Sequence, residues 1–371
     1  MFLAYYVYNM LLIVLIFLAY QYAMTGKRAF PYMIIGIFTL VIGLRYKVGD
    51  DYLAYTGFFS NPKLFPDMEY GFTSVCRWFH SLGFHPITII MLVSLFEIYF
   101  FVRTFQKFKF ALPWAFFFLF TTLELFIWNN ALRQSVAFCI FLYSIRFIHE
   151  RRLIPFALLI VLAGSIHKTA YPLGAFYFVL NFKVRDDKLI QYALFFGTFV
   201  AGAVLKEFIF ANLGTIAGSI GFGDAASNVD YLKTLDWSNS KNSMGIATFI
   251  WMLLDMSVIW MYDKLKNTYS HTGFELYYKL YFIGIMLQNC IGGTYLDRVN
   301  MYFLPFRIVI YAFFMHELSK KKDVLYRTPI AFFCMLTYAL CMWAVYNHAA
   351  TSSPYEFVDL GFFPSKQTFF D

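Results

Sequence analysis

Eight residues carry most of the chemistry that this sequence can offer. Arg45, Arg133 and Arg298 are guanidinium groups at the ends of long apolar runs, and Arg307 lies further along the run that Arg298 opens. Beside them in the sequence are possible proton acceptors: Asp50, Asp51, Glu69 and His167. Guanidinium holds phosphate oxygens in bidentate pairs and cannot lose its charge. A diphosphate leaves readily once its growing negative charge is stabilised. A carboxylate or a neutral imidazole can take the proton from an attacking sugar hydroxyl. Together these groups suit glycosyl transfer from a lipid diphosphate sugar. Among the acceptors His167 ranks first, because its unperturbed pKa of about 6.5 lies close to neutrality. Asp51 and Asp50 rank second because Arg45 nearby weakens them as bases. Glu69 ranks third, and folding can set it beside Arg133.

Helical spacing draws some of these together. Asn129 and Arg133 are four apart, as are Asn130 and Gln134, and Arg298 and Tyr302, so each pair shares a helix face. On an unbroken helix Arg307 sits roughly 13 Å below Arg298, with Pro305 loosening the turn between them. Tyr52, Tyr55, Tyr70, Trp78, Trp128, Gln134 and Tyr302 are candidates to bind sugar, although interfacial aromatic belts account for many such rings. Plainer roles remain open for all of these residues. Arg45 can be an interfacial anchor, Asp50 and Asp51 solvated loop acids, and His167 a backbone-bonding interfacial side chain. Arg133 and Arg298 can pair with Glu69 or Asp297, and Arg307 with Glu97, Glu124 or Asp255.

The elements that position these groups must be membrane helices. Of the 371 residues, 60% are hydrophobic, 22% aromatic and only 14% charged, against about 25% charged in a soluble domain. That excludes a cytosolic enzyme, a disordered chain and, despite the formal charge of +8, a nucleic-acid module. Continuous apolar runs such as Leu11–Ala19 and Ala115–Phe120 exclude a transmembrane barrel, whose strands alternate. The five cysteines have no metal-ligand spacing and read as small core hydrophobes. No metal or cofactor is expected, although adjacent Asp50 and Asp51 are the one place where a divalent ion could bind through oxygen.

The expected architecture is an all-α polytopic membrane protein, one transmembrane domain over residues 1–371. Its spans are 3–23, 30–44, 86–102, 112–128, 131–149, 153–166, 169–181, 189–211, 245–262, 276–292, 299–317 and 329–346, about twelve helices. Basic clusters recur at every second connection: Lys27 and Arg28; Arg103–Lys109; Arg146–Arg152; Lys183–Lys188; Lys264–Lys279; Lys320–Arg327. They hold more than half of the 30 Lys and Arg residues. By the positive-inside rule these connections face the cytoplasm. The long connections 45–85 and 212–244, and the candidate site residues with them, then face outside.

Five short motifs resemble the EpsG family of exopolysaccharide and O-antigen polymerases. Gly43–Tyr55 (GLRYKVGDDYLAY) is similar to its R-x-x-x-G-x-D-x-x-x-Y stretch, and Met68–Gly71 to its E-x-G step. Asn130–Ala137 resembles its R-Q-x-x-A helix start, Ser165–Ala170 its x-H-x-S/T hairpin tip, and Asp297–Phe303 its R-x-x-x-Y-F helix. They occur in family order across residues 43–303. One departure is Lys168, where the family more often has Ser. The resemblance implies a Wzy-type polymerase with a GT-C-like architecture in the bacterial cytoplasmic membrane. Its donor would be a growing chain on undecaprenyl diphosphate and its acceptor a new lipid-linked unit, outside the membrane, with a chain-length regulator as a further partner and no nucleic acid. A flippase of lipid-linked oligosaccharide, an O-antigen ligase and a glycan acyltransferase are the competing readings.

Overall fold

The computed structural model describes residues 2–49, 51–61, 68–181, 187–211, 246–292, 297–321, 323–347 and 356–357. Asp50 and the expected outer connection 212–244 lie outside the described residues. The chain divides into two compact units, Met1–Phe182 with Tyr311–Asp371, and Lys183–Ile310.

The described residues are nearly all helical, as 60% apolar content over continuous runs requires where no water can satisfy the backbone. In the first unit α1 (Phe2–Thr25) packs against α2 (Ala29–Gly43) and α6 (Leu112–Thr121). Between them in sequence come α3 (Tyr52–Ser60), α4 (Tyr70–Ser81) and α5 (Ile87–Phe105). The unit continues through α7 (Glu124–Asn130), α8 (Leu132–His149) and α9 (Leu153–Ile166). Helix α5 packs on α2 and α8, and α8 on α9. After a 3-10 segment, Lys168–Ala175, comes the short α10 (Phe176–Val179). The second unit holds α11 (Lys188–Ala211), α12 (Ile246–Tyr269), α13 (Phe274–Ile291) and α14 (Asp297–Asn300). Then come α15 (Phe306–Ser319), whose first residues belong to the second unit, and α16 (Val324–Asn347) in the first.

Among the described residues five stretches are long and apolar enough to cross a membrane: Tyr5–Thr25, Ile87–Thr121, Lys188–Lys206, Ile246–Thr272 and Arg327–Ala344. Ala29–Gly43 and Leu153–Ile166 are shorter apolar helices. The chain is thus a helical membrane protein. The stretch Ile87–Thr121 is interrupted by the 3-10 turn Gln106–Ala111, kinked at Phe108 (φ −136°, ψ 55°).

Several expected elements differ. The span 112–128 breaks where Leu123 takes φ 65°. Just before it, Thr121 and Thr122 turn their hydroxyls back onto the carbonyls of Phe117 and Phe118, a bond that competes with helix continuation. The span 169–181 is a 3-10 run followed by one α-turn; Pro172 within it has no N–H to donate. The span 299–317 is broken at 301–305 into α14 and α15, with Pro305 in the break. Arg298, Tyr302 and Arg307 therefore do not lie on one helix. The connection 45–85 contains the helices α3 and α4 instead of irregular chain.

At one end of the first unit three basic connections meet. Glu150 is paired with Lys107, and lies 3.6 Å from both Arg146 and Arg152. Lys109 stands over the Tyr22 ring at 6.0 Å. At the other end of these helices are Arg45, Glu69, Arg133 and His167. Three of the basic connections seen in the sequence thus share one end of the first unit.

Candidate functional site

The site is built where four elements meet: the β1 segment (Arg45–Tyr46) after α2, the start of α4, the start of α8 and the end of α9. Glu69 stands at the N-cap of α4 in extended conformation (φ −58°, ψ 138°). Its position is set by Gly71. A Cβ there would lie 2.5 Å from Ser165 Oγ and 2.7 Å from the Ser165 carbonyl oxygen. Only a residue without a side chain lets α4 approach the end of α9 this closely. The E-x-G step thus brings Glu69 to the tip that carries His167.

Glu69 Oε1 lies 3.1 Å from His167 Nδ1 and accepts the Lys168 backbone N–H at 3.1 Å. Its Oε2 forms an ion pair with Arg133 Nη1. Arg133 Nε donates to the Tyr55 hydroxyl at 3.1 Å, and the guanidinium lies over the Tyr55 and Phe72 rings at 5.8 and 6.0 Å. The Glu69 side chain is 7% exposed and His167 is 19% exposed, so the carboxylate is enclosed while the imidazole is within reach of a ligand. Burial on its own raises the Glu69 pKa. The His167 bond, the Arg133 charge and the N–H groups of Glu69 and Lys168 outweigh it, and hold the carboxyl at about 2. A folded pKa below the usual 4.5 makes the cluster stabilising above that value, with the stabilisation lost as pH falls from about 4.5 towards 2. Thermal unfolding of the purified protein across that window should therefore steepen with acid, and Glu69→Gln should flatten the dependence.

Arg45 is only 1% exposed. Its guanidinium donates to the carbonyls of Ile42 (2.8 Å), Val48 (3.3 Å) and Asn129 (3.3 Å), and to Ser94 Oγ at 3.5 Å. Gly49 has φ +97°, and a Cβ there would meet the Asn129 carbonyl oxygen at 2.5 Å. The R-x-x-x-G spacing thus clamps the turn from α7 to α8 that presents Arg133. This geometry is that of a brace, not of an open phosphate ligand.

The sugar-binding candidates separate in the same way. Tyr52 and Tyr55 are buried, and the Tyr55 hydroxyl serves Arg133. Trp128 is buried with its indole N–H on Glu124 at 3.0 Å, and Gln134 is buried in α8. Tyr70, next to Glu69 in sequence, and Trp78, more than two turns further along α4, are 83% and 60% exposed. Asp51 is exposed at the start of α3. In the second unit Arg307 Nη2 donates to Asp255 Oδ2 at 2.6 Å, and the Tyr281 hydroxyl donates to Oδ1 at 2.7 Å. Arg298 lies on α14, and Tyr302 is buried in the turn that follows. Among the described residues no three His, Cys, Asp or Glu side chains converge as a metal site.

The EpsG family matches residues 28–357, a range that contains the motifs meeting in this cluster. The chain belongs to the EpsG family. No curated protein and no solved structure matches it. EpsG membership carries a polysaccharide polymerase role, with a lipid-linked saccharide as substrate in a membrane. It also gives the close approach of Gly71 to Ser165 a test. Gly71→Ala should lower polymerisation about a hundredfold, the cost of moving a reacting group by about 1 Å. Gly57→Ala, where a Cβ meets nothing within 4 Å, should leave it unchanged, with both read as polymer formed per unit of protein.

Proposed function

We propose that this EpsG chain joins polyprenyl-diphosphate-linked oligosaccharide units on the outer face of the bacterial cytoplasmic membrane, on a GT-C-like helical scaffold. The observation that carries the proposal is the contact of Glu69 with both His167 and Arg133. Glu69, held ionised, accepts the Nδ1 proton of His167, which leaves Nε2 with the lone pair a base needs. An acceptor sugar hydroxyl attacks C1 of the donor's first sugar. The new C1–O bond forms as the bond from C1 to the diphosphate oxygen breaks. The hydroxyl proton passes to His167 Nε2, and polyprenyl diphosphate leaves with the electron pair. Arg133 has Nε and Nη1 engaged by Tyr55 and Glu69. Its Nη2 group turns to the leaving diphosphate, which removes any need for a divalent ion. Arg45 acts through Asn129 as a positioning residue for Arg133. Tyr70 and Trp78 supply sugar-stacking faces. Arg298, Tyr302 and Arg307, in the second unit, stand as donor-binding candidates on the sequence motif alone, and Asp50 and Asp51 as groups for acceptor sugar hydroxyls.

The test is reaction of the purified protein with lipid-linked repeat units. A ladder of lengths is expected. One added unit per acceptor would make the protein a ligase, and no product would favour transport. Orientation has its own test. Cysteine in place of Ser60 should react with an impermeant maleimide in intact spheroplasts, and cysteine in place of Arg151 only after lysis; the reverse pattern would overturn the outer placement.

A further inference from the structure

Helix α9 is too short for the membrane that it faces. It has 14 residues, about 21 Å at the rise of an α-helix, against a hydrocarbon core of about 30 Å. Neither end can extend it. At one end Arg152 lies against Glu150 within the basic cluster. At the other, His167 is bonded to Glu69. The chain then turns back on itself: the Ala170 N–H bonds the His167 carbonyl, and the Tyr171 ring covers Gly164. Tilting would shorten the projected length further.

The outer side of this helix is a continuous apolar stripe. Leu153, Ile154, Leu158, Val161 and Leu162 are exposed, while Phe156, Ile160 and Ala163 on the other side are buried. The stripe runs from the basic cluster directly to the tip bearing His167. In an unthinned bilayer, either end would be sunk in hydrocarbon, where a charged side chain costs several kcal/mol.

We propose that acyl chains of a locally thinned bilayer cover the α9 stripe, so that the headgroup plane descends to the level of His167, Glu69 and Arg133. The thinning is about 10 Å. It brings a membrane-borne diphosphate to the guanidinium by lateral diffusion, with its prenyl chain along Leu158 and Leu162. Charge complementarity fits this occupant: cationic groups mark both ends of the stripe, where lipid phosphates lie. The inference deepens the polymerase reading by naming how its lipid substrate arrives, and rests on that reading only for the diphosphate.

The experiment uses spin labels at Ile154→Cys, Leu158→Cys and Leu162→Cys, one at a time, with the five native cysteines replaced by Ala. The full chain is reconstituted in dioleoyl phosphatidylcholine with phosphatidylglycerol. Collision with oxygen is compared with collision with a water-soluble nickel chelate. Thinning centres the helix, with its middle between Leu158 and Leu162, so these two labels are nearly equally deep and Ile154, about 8 Å from the middle, is the shallowest. A label at Leu162 clearly deeper than at Leu158, or one at Ile154 as deep as at Leu158, would mean a bilayer of ordinary thickness anchored at one end and would overturn the proposal. Low oxygen collision at all three would mean that protein, such as a second copy, covers the stripe, and would also overturn it. If the cysteine-free chain does not fold, the unaltered protein is assayed in phosphatidylcholines with 14-, 18- and 22-carbon chains. Polymerisation should fall about tenfold from the thinnest to the thickest, and a maximum at 22 carbons would refute thinning. The labels need no substrate, so a thinned profile without polymer would leave this inference standing while the polymerase reading fell.

Discussion

His167→Ala should lower polymerisation by about 10²–10⁴, the range for loss of a general base. Adding Glu69→Gln to it should cost little more. In the proposed mechanism Glu69 works through His167 by fixing which ring nitrogen carries the proton, and residues that act as one unit lose their effect together. Glu69→Gln alone should fall in the same range. Its amide cannot match the carboxylate's two anionic contacts, to Nδ1 of His167 and Nη1 of Arg133. The check is turnover by the single and double variants in membranes with protein level measured, and lipid-linked donor binding measured separately. Multiplied losses in the double variant would mean that the two residues act independently and that the imidazole is not oriented by the acid.

The second large effect belongs to Arg133. An ammonium keeps the charge but cannot reach Tyr55, Glu69 and a phosphate at once. Arg133→Lys should therefore cost about 10²-fold in polymer yield, most of it as weaker donor binding. Tyr55→Phe removes one hydrogen bond, worth about 0.5–1.5 kcal/mol, and should cost less than about tenfold. In the background of Arg133→Lys the same Tyr55→Phe change should cost nothing. A full Tyr55 effect in that background would show the hydroxyl acting on the substrate itself.

The sequence reveals the helical membrane class through its long apolar runs, because such runs have few other stable forms. It also orders the ends of the first unit, since the basic connections around Lys107, Arg146 and Arg152 do meet through Glu150. The helix breaks at Leu123, Pro172 and Pro305 were less legible. Hydropathy averages over the single backbone angle or missing N–H that ends a helix. Within the site, the pairing of Glu69 with Arg133 was one of several open possibilities. Residues 64 and 98 positions apart leave no periodic trace. A signal was present at Gly71, where an unhelpful helix former stands two residues after Glu69 at a helix start. Arg45 was legible as unusual, but its contacts with the carbonyls of Ile42, Val48 and Asn129 were not. An arginine braced by carbonyls and one open to phosphate look the same in sequence, and only the surrounding backbone separates them.

The discontinuity of the first unit bears on how the protein is made. Its helices α1 and α6 hold α16 through Tyr338 to Asn9 (2.5 Å) and Cys341 to the Phe120 carbonyl (3.2 Å). The short strand at Glu356–Phe357 pairs with Arg45–Tyr46. All of these late partners are translated after the whole of Lys183–Ile310. At elongation rates of about 5–20 residues per second the early helices wait on the order of ten seconds or more for them. During that interval the surface that α16 will cover faces lipid or a chaperone. Ribosome-stalled chains that end before α16 should be the form most open to membrane proteolysis, and the segment beside Arg45 should reach its final register only after the last helix has entered the bilayer.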